Sequence, residues 1–405
     1  MAFFLQQGYG MKQLNEEFAN KFSNLGVILS PRSLQRNTGI ENLEEHSKKL
    51  KKKGVNILFD PQFYEPRTNL EKILQFPYFE GLDYLTLEFN SQVASKFSIN
   101  CLKYQDLTLQ TDQLIIPNIY SNSFNDDWIS IQEYLIDGGL KYDSSKKKYL
   151  SLPLGPDLIR NKNAFDELIS IYIQYEDIDG FYVVLKSPSD YLISDEDYLY
   201  SVLDAFTSLN LSGKEIILGY ANQQSLIYGA AGVSIIASGN YRNVRTFDPD
   251  IFYEDDTNED IRRRGIWYYD PNTLGEYRPQ ELSLAFNRGL RNFFDKECEY
   301  CEMLLSSDQP ANIPWNEPLP FKHFLLELRK QWLDIATIPL DKRIDYIISF
   351  FEGVVENNER LRSKGFRFGR RSFNSDVIES TLNALYAFKS DRKYDLKQLE
   401  DFSII

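Results

Sequence analysis

Histidine is nearly missing from this chain of 405 residues; only His46 and His323 are present. Chemistry built on several imidazoles, a three-histidine metal site above all, is therefore excluded. Acid–base work falls to carboxylates, lysine or tyrosine. Cysteine is scarce too: Cys101, Cys298 and Cys301 make an odd number in a long chain, which speaks against a disulfide framework and predicts reduced thiols. No run of about eighteen apolar residues occurs. The opening MAFFLQQGYGMKQL has neither the basic start nor the apolar length of a secretory signal, so the expected location is cytoplasmic, with no membrane partner. Gly-x-Gly-x-x-Gly and Walker phosphate loops are also absent, which disfavours a doubly wound nucleotide-binding sheet.

Positive charge is in deficit, with 45 Lys and Arg against 59 Asp and Glu and a net charge of −14. Indiscriminate coating of nucleic acid is thereby disfavoured, because phosphate binding is driven by counterion release from a basic surface. The cations that are present cluster at Lys48–Lys53, Lys146–Lys148, Arg262–Arg264 and Arg360–Phe373. In the last stretch Arg360, Arg362, Lys364, Arg367, Arg370 and Arg371 alternate with Phe366, Phe368 and Phe373. Such a mixture suits a phosphate backbone with exposed bases. The bland alternative is a solvated helix end balancing Glu352, Glu356 and Glu359.

Apolar residues make up 42% and aromatics 14% of the chain, ample for one large barrel or two ordinary domains. Short β-branched runs alternate with helical periodicity, as in parallel βα units. The predicted strands are 25–30, 55–59, 83–89, 113–119, 149–154, 180–186, 215–220 and 233–238. Helices are predicted at 42–53, 126–137, 163–174, 195–209 and 223–230, whereas 100–112 reads as a strand pair. Eight such strands predict an α/β fold, a (β/α)8 TIM barrel, over residues 1–245. Residues 246–405 read as a mostly helical subdomain with helices at 279–294, 321–335, 341–361 and 374–388, the last packing back on the barrel. Phe321, Phe324, Leu325, Leu328 and Trp332 share one helical face and are expected in the core.

Catalytic groups of such barrels stand at the carboxyl ends of the strands. That rim holds Asp60, Glu88, Asn118, Tyr120, Asp157, Lys186, Asp190, Asn222, Gln223, Gln224, Asn240, Tyr241, Arg242 and Arg245. Amides and aromatics of this kind read a planar heterocycle well, although many such residues simply cap helices or fix loops.

The segments LFDPQFYEP, GFYVVLKSPSDY and LGYANQQSLIYGAAGVSIIASGNYRNVR, together with CEYC and the distant His323 followed by a helix, resemble the tRNA-guanine transglycosylase superfamily. The resemblance implies a barrel whose Asp60 lies beside base and sugar, with Gln62, Tyr64, Glu88, Asn118, Tyr120, Asn222, Gln223, Asn240 and Tyr241 around the substrate. It implies a structural zinc on Cys298, Cys301 and His323. Lys296 stands where the family has another cysteine, so Asp295, Glu297 or Glu302 would have to complete that site. Ala237, followed by Ser238, stands where the family has its nucleophilic aspartate. Asp248 is too remote in sequence to be taken as its equivalent.

Relatives in DNA-modification and phage-defence loci act on DNA bases. The resemblance and the missing nucleophile together imply a DNA glycosylase in antiviral defence, excising a hypermodified base such as a glycosylated hydroxymethylpyrimidine from double-stranded phage DNA. Asp60 would stabilise charge or activate water, and Asp157 and Lys186 are further catalytic candidates, Lys186 through a Schiff base. Arg242, Arg245, Arg360, Arg362, Lys364, Arg367, Arg370 and Arg371 would grip phosphate. No cofactor is expected in catalysis, and a homodimer is compatible with the sequence. The alternatives are base exchange of guanine for a deazaguanine in DNA or tRNA, with Asp157 or Asp190 as nucleophile, and an inactive module that binds modified nucleic acid.

Overall fold

Short apolar runs without polar alternation become strands buried on both faces, the pattern that parallel sheets require. In the computed structural model, β1 (Ala2–Gln6), β2 (Gly26–Leu29), β3 (Asn56–Phe59), β4 (Leu114–Ile116), β5 (Lys148–Leu154), β6 (Gly180–Leu185), β7 (Glu215–Leu218) and β8 (Ile235–Ser238) form one sheet in the order β3-β2-β1-β8-β7-β6-β5-β4. Every adjacent pair is parallel. The structure describes residues 1–33, 39–65, 70–79, 90–189, 191–253, 266–294, 298–313, 315 and 317–403.

Helices Lys12–Lys21, Gly39–Lys52, Ser91–Lys103, Asp126–Lys141, Lys162–Ile173 and Glu196–Leu211 alternate with the strands, and the sheet curls into a nearly closed (β/α)8 barrel. Its seam lies between β3 and β4. There Asp112 N donates to Ile57 O (2.8 Å) and Tyr120 N to Tyr64 O (2.9 Å). Asp112 Oδ2 accepts from Ile57 N at 2.7 Å, replacing with a side chain the acceptor that a neighbouring strand would present. Lys51 pairs with the other oxygen of Asp112 at 2.6 Å.

Several features differ from the sequence-based expectation: 223–231 is a 3-10 stretch, and the predicted helix 279–294 is divided into Pro279–Asn287 and Arg291–Phe294. The first strand of the barrel is Ala2–Gln6, which was not predicted; it is five residues long at the chain start and has no turn signal in front of it. Residues 100–112 are helical, not a strand pair: helix Ser91–Lys103 runs into a π-helical stretch, Tyr104–Leu109. Gln105 explains the departure. Its amide donates to Ile115 O (2.8 Å) and accepts from Ile115 N (2.8 Å), so this widened turn is fixed to β4 by a side chain that imitates a strand. The predicted strand at 83–89, Glu88, Asp190, Arg262–Arg264 and Asp295–Glu297 lie outside the described residues.

Packing divides the chain into two units. The barrel unit comprises Met1–Pro188, Ser201–Ala221 and Ala231–Thr257; the second comprises Ser189–Tyr200, Asn222–Ala230 and Asn258–Ile405. In the second, β9 (Tyr268–Asp270) and β10 (Gly275–Tyr277) form an antiparallel hairpin, accompanied by helices Pro279–Asn287, Leu319–Ala336, Leu340–Ser363 and Ser375–Ser403. Phe321, Phe324, Leu325, Leu328 and Trp332 are buried along one helix, as their spacing predicts. A core of Tyr268, Tyr277, Phe286, Phe294, Trp315 and Leu361 also takes in Phe366, Cys298 and Cys301. Phe366 and Phe373 are therefore interior residues, and they offer no stacking platform to a base. Among the described residues no helix is long and apolar enough to cross a membrane.

Candidate functional site

β3 ends at Phe59, and the next residue turns a carboxylate into the barrel mouth. Asp60 N still donates to Leu29 O at 2.9 Å, extending the ladder by one bond. Its side chain is fully buried and receives four donors. Tyr64, Tyr182 and Tyr220 hydroxyls donate to Oδ2 at 2.7, 3.1 and 3.3 Å. Gln62 N donates to Oδ1 at 2.9 Å. An ionised carboxylate offers about four acceptor positions, two on each oxygen, so Oδ2 is crowded and Oδ1 has one left. Burial pushes the Asp60 pKa up to about 6, against the pull of the tyrosine hydroxyls and the Gln62 amide. Burial and the charge of Asp60 push all three phenols well above their ordinary range, keeping them as neutral donors.

The surroundings hold this arrangement at a cost. Gln62 and Tyr220 both adopt left-handed backbone, at φ 53°, which disfavours side-chain-bearing residues by about 1–3 kcal/mol each. They brace one another through Gln62 Nε2, which donates to Tyr220 Oη at 2.9 Å, while Gln62 Oε1 accepts from Arg32 N at 2.8 Å. A Cβ on Gly219 would lie 2.5 Å from the Tyr182 hydroxyl, so that position must be glycine. Tyr182 has one proton and two acceptors, Asp60 and Gln6 Oε1 (3.2 Å), and Gln6 Nε2 is buried without a partner. Over the site, Tyr64 meets Phe247 and Phe252 edge-on, each at 4.9 Å, and Phe247 also packs on Tyr220 at 5.6 Å.

Other barrel residues occupy different roles. Lys186 is ion-paired with Asp248 (3.6 Å) and Asp250 (3.5 Å). Tyr120 is half-buried, its pKa pushed up to about 12 by burial and then by Asp250, Asp157 and Asp248. Asp157 is exposed, accepts from Asn122 Nδ2 at 2.6 Å and lies 3.8 Å from Arg160. Asn118 is interior, donating to Gln132 Oε1 (2.7 Å) and Ser151 O (3.0 Å). Asn240 donates to Tyr9 O (2.9 Å) and caps Tyr241 N (2.9 Å). Arg245 is buried and gives its guanidinium to Gly239 O (2.8 Å) and Asn240 O (2.7 Å), whereas Arg242 is partly exposed. At the end of β8, Ala237 is buried and Ser238 Oγ donates to Ala221 O at 2.6 Å. Lys146 and Lys147 are paired with Asp106 and Glu215.

In the second unit, Asn222 caps Gln224 N (2.9 Å) and donates to Tyr191 O (3.0 Å), while Gln223 bonds Tyr191 Oη and Leu274 O. Gln224 is tied to Ile193 through both N and O. Arg360, Arg362, Lys364, Arg367 and Arg370 are exposed. Arg371 is not among them: it pairs with Glu276 at 3.2 Å and lies over the Trp267 ring at 4.4 Å.

Cys298, Cys301 and His323 converge, their donor atoms all within 4.8 Å of one another, and could hold a metal ion. His323 Nε2 faces Tyr269 O at 2.6 Å, which places the ring proton there and leaves the Nδ1 lone pair toward Cys298 Sγ (3.4 Å) and Cys301 Sγ (3.7 Å). That is the orientation in which a histidine ligates a metal. The Tyr268 ring stacks on the imidazole at 4.7 Å and its hydroxyl meets Cys301 Sγ at 3.5 Å. The two thiols are coupled: a hydrogen bond between the sulfurs lowers the Cys298 pKa and raises that of Cys301.

No family model matches the chain, and no curated protein matches it. The site must be read from its own geometry. Of the groups around Asp60, sequence reasoning found Gln62 and Tyr64, its chain neighbours, and missed Gln6, Tyr182 and Tyr220. Tyr182 lies within an apolar strand run, and nothing local links it to Asp60.

The raised Asp60 pKa has a measurable consequence. The folded state binds more protons than the unfolded one between the ordinary carboxylate value of 3.8 and about 6. Through this group stability must fall as pH rises across that window and level off above it, by up to about 3 kcal/mol. Asp60→Asn should remove that limb, measured as the difference in denaturant midpoint between pH 4.5 and pH 7. An unchanged difference would show that Asp60 titrates normally.

Proposed function

We propose that the protein is an N-glycosidic-bond hydrolase acting on DNA, a glycosylase that removes a modified base and leaves an abasic site. The observation that carries this reading is Asp60: a carboxylate at the carboxyl-terminal mouth of a (β/α)8 barrel, desolvated and held by three phenols. Loss of a base leaves positive charge at the sugar's anomeric carbon, and a preorganised anion in a dry site stabilises that charge far better than one in water. Hydrolysis is favoured over base exchange because the end of β8 supplies no nucleophile: Ala237 is buried and Ser238 is bonded to a backbone carbonyl. A Schiff-base route is disfavoured because Lys186 is engaged in pairs with Asp248 and Asp250.

Asp60 has no exposed surface, so a sugar reaches it only when the Phe247 and Phe252 rings packed on Tyr64 and Tyr220 move aside. A flipped nucleotide would take the place of those rings, exchanging aromatic contacts inside the protein for contacts with the base. The same enclosure favours one rival, a binding module in which Asp60 only fixes the mouth. Mass analysis of bases released from modified and unmodified DNA is the deciding assay. Detection of an abasic product supports hydrolysis, and incorporation of a free deazaguanine would replace that reading with exchange.

The exposed Arg360, Arg362, Lys364, Arg367 and Arg370 support a DNA partner. Replacing Arg367 and Arg370 with Ala should weaken DNA binding for all sequences alike and reduce the slope of log K against log salt by about 2, if each meets one phosphate. Fluorescence anisotropy at several salt concentrations measures it, and an unchanged slope would remove this loop from the interface. In the same unit we infer a structural zinc on Cys298, Cys301 and His323, supported by the sulfur and imidazole donors and the fixed ring orientation. Elemental analysis of the purified chain should find about one zinc per molecule.

A further inference from the structure

Two thiols and one imidazole leave a structural zinc one ligand short, since such sites are almost always four-coordinate. Of the acidic residues beside the cysteines, Glu299 and Glu302 are exposed, and Asp295 and Glu297 lie outside the described residues. A buried candidate comes from farther along the chain. Glu327 stands four residues after His323 on helix Leu319–Ala336, and positions four apart share a helix face, one above the other. Both are interior, and Glu327 is 8% exposed. Its charge couples to those of Cys298, Cys301 and His323, which places the carboxyl group near the centre.

We propose that Glu327 is the fourth ligand of this centre, giving a Cys298–Cys301–His323–Glu327 site. The proposal rests on the zinc reading of the three donors. A carboxylate buried near two sulfurs in an apolar core is unfavourable unless a cation joins them, and a bound dication turns that repulsion into attraction. The Glu327 carboxyl does not lie within 4.8 Å of all three other donors, so closing the site requires its side chain to move. Tyr268, stacked on His323 and touching Cys301, and Tyr269 O, holding the far nitrogen of the ring, fix the other ligands without help from Glu327. The helix thereby supplies two ligands at a spacing of one turn, and this substitutes for a third cysteine on the loop.

The test compares the full-length wild-type chain with Glu327→Gln, Glu327→Ala and Cys298→Ser, each stripped of metal and retitrated with Zn2+ against a chromophoric chelator. Wild type should bind one zinc, and Cys298→Ser should lose it. Both Glu327 variants should bind more weakly by at least the ~10–100-fold that loss of an outer partner costs. Cobalt in place of zinc gives a second readout: its visible bands should shift in Glu327→Gln, because a donor atom has changed. Thermal unfolding of the metal-free proteins separates ligation from folding, since the gap in Tm between metal-loaded and metal-free states should shrink in the variants even if their metal-free Tm also moves. Glu327 variants that bind zinc as wild type does, with unaltered cobalt bands, would overturn the assignment of Glu327 while leaving the zinc intact. A wild-type chain that binds no zinc would overturn the zinc reading, and this proposal with it.

Discussion

Asp60→Ala is expected to abolish release of the target base, by roughly 10²–10³-fold or about 3–4 kcal/mol, the loss seen when one preorganised electrostatic group is removed from a closed site. Asp60→Asn is the sharper variant. Asparagine keeps the shape and an acceptor oxygen but not the charge, so a charge-stabilising Asp60 predicts that both variants are nearly dead. An Asp60 that merely fixes the mouth predicts that Asn is active and Ala impaired. The pH profile adds a second criterion: if the ionised form is needed, activity rises through about pH 6, the value to which burial pushes the carboxyl. Folding must be checked alongside, because Ala leaves the Tyr64, Tyr182 and Tyr220 hydroxyls and the Gln62 amide without their acceptor, and each stranded buried group costs about 1–3 kcal/mol. Retained binding of modified DNA with no base release in either wild type or variant would leave only the binding module.

How far this was legible in the sequence depends on whether a signal is local. Apolar runs between helical patterns were enough to predict the barrel, and Asp60 stood out because a carboxylate directly follows such a run. Its partners did not stand out. Tyr182 and Tyr220 are 122 and 160 residues away in the chain, and they meet Asp60 only because closure brings the ends of β3, β6 and β7 to one mouth. The rim list read polarity as availability, and burial corrects that for several members. Asn118, Asn240 and Arg245 spend their donors on carbonyls and amides of the fold, because an interior polar group must find a partner wherever it lies. Glu327 failed for the opposite reason: within LELRKQW it looks like one charge on a solvated face, and only the packing of its helix buries it.

Trp332→Ala should be the most damaging single change to packing in the second unit, costing about 3–5 kcal/mol. Trp332 is fully buried on the helix that also carries His323 and Glu327, and its ring edge faces Gly229 in the 3-10 stretch Gln223–Ala231. A Cβ on Gly229 would sit 2.9 Å from Ile335 Cγ2, 3.4 Å from Trp332 Cζ3 and 3.5 Å from Ile347 Cδ1. Gly229→Ala alone is therefore overpacked and should cost about 1–3 kcal/mol. Once Trp332 is Ala, the space it leaves accepts the shifted Ile335, and the added methyl should cost less or nothing. The double-mutant cycle should then give a coupling of about 0.5–3 kcal/mol in favour of the pair. Trp267 and Trp315 report on this unit by fluorescence when Trp128, in the barrel helix Asp126–Lys141, is replaced with Phe. Following them keeps the measurement on one unit of a chain that need not unfold in a single step. Equal costs for Gly229→Ala in both backgrounds would mean that the helix does not press on that glycine, and that the face presenting His323 and Glu327 is held by other contacts.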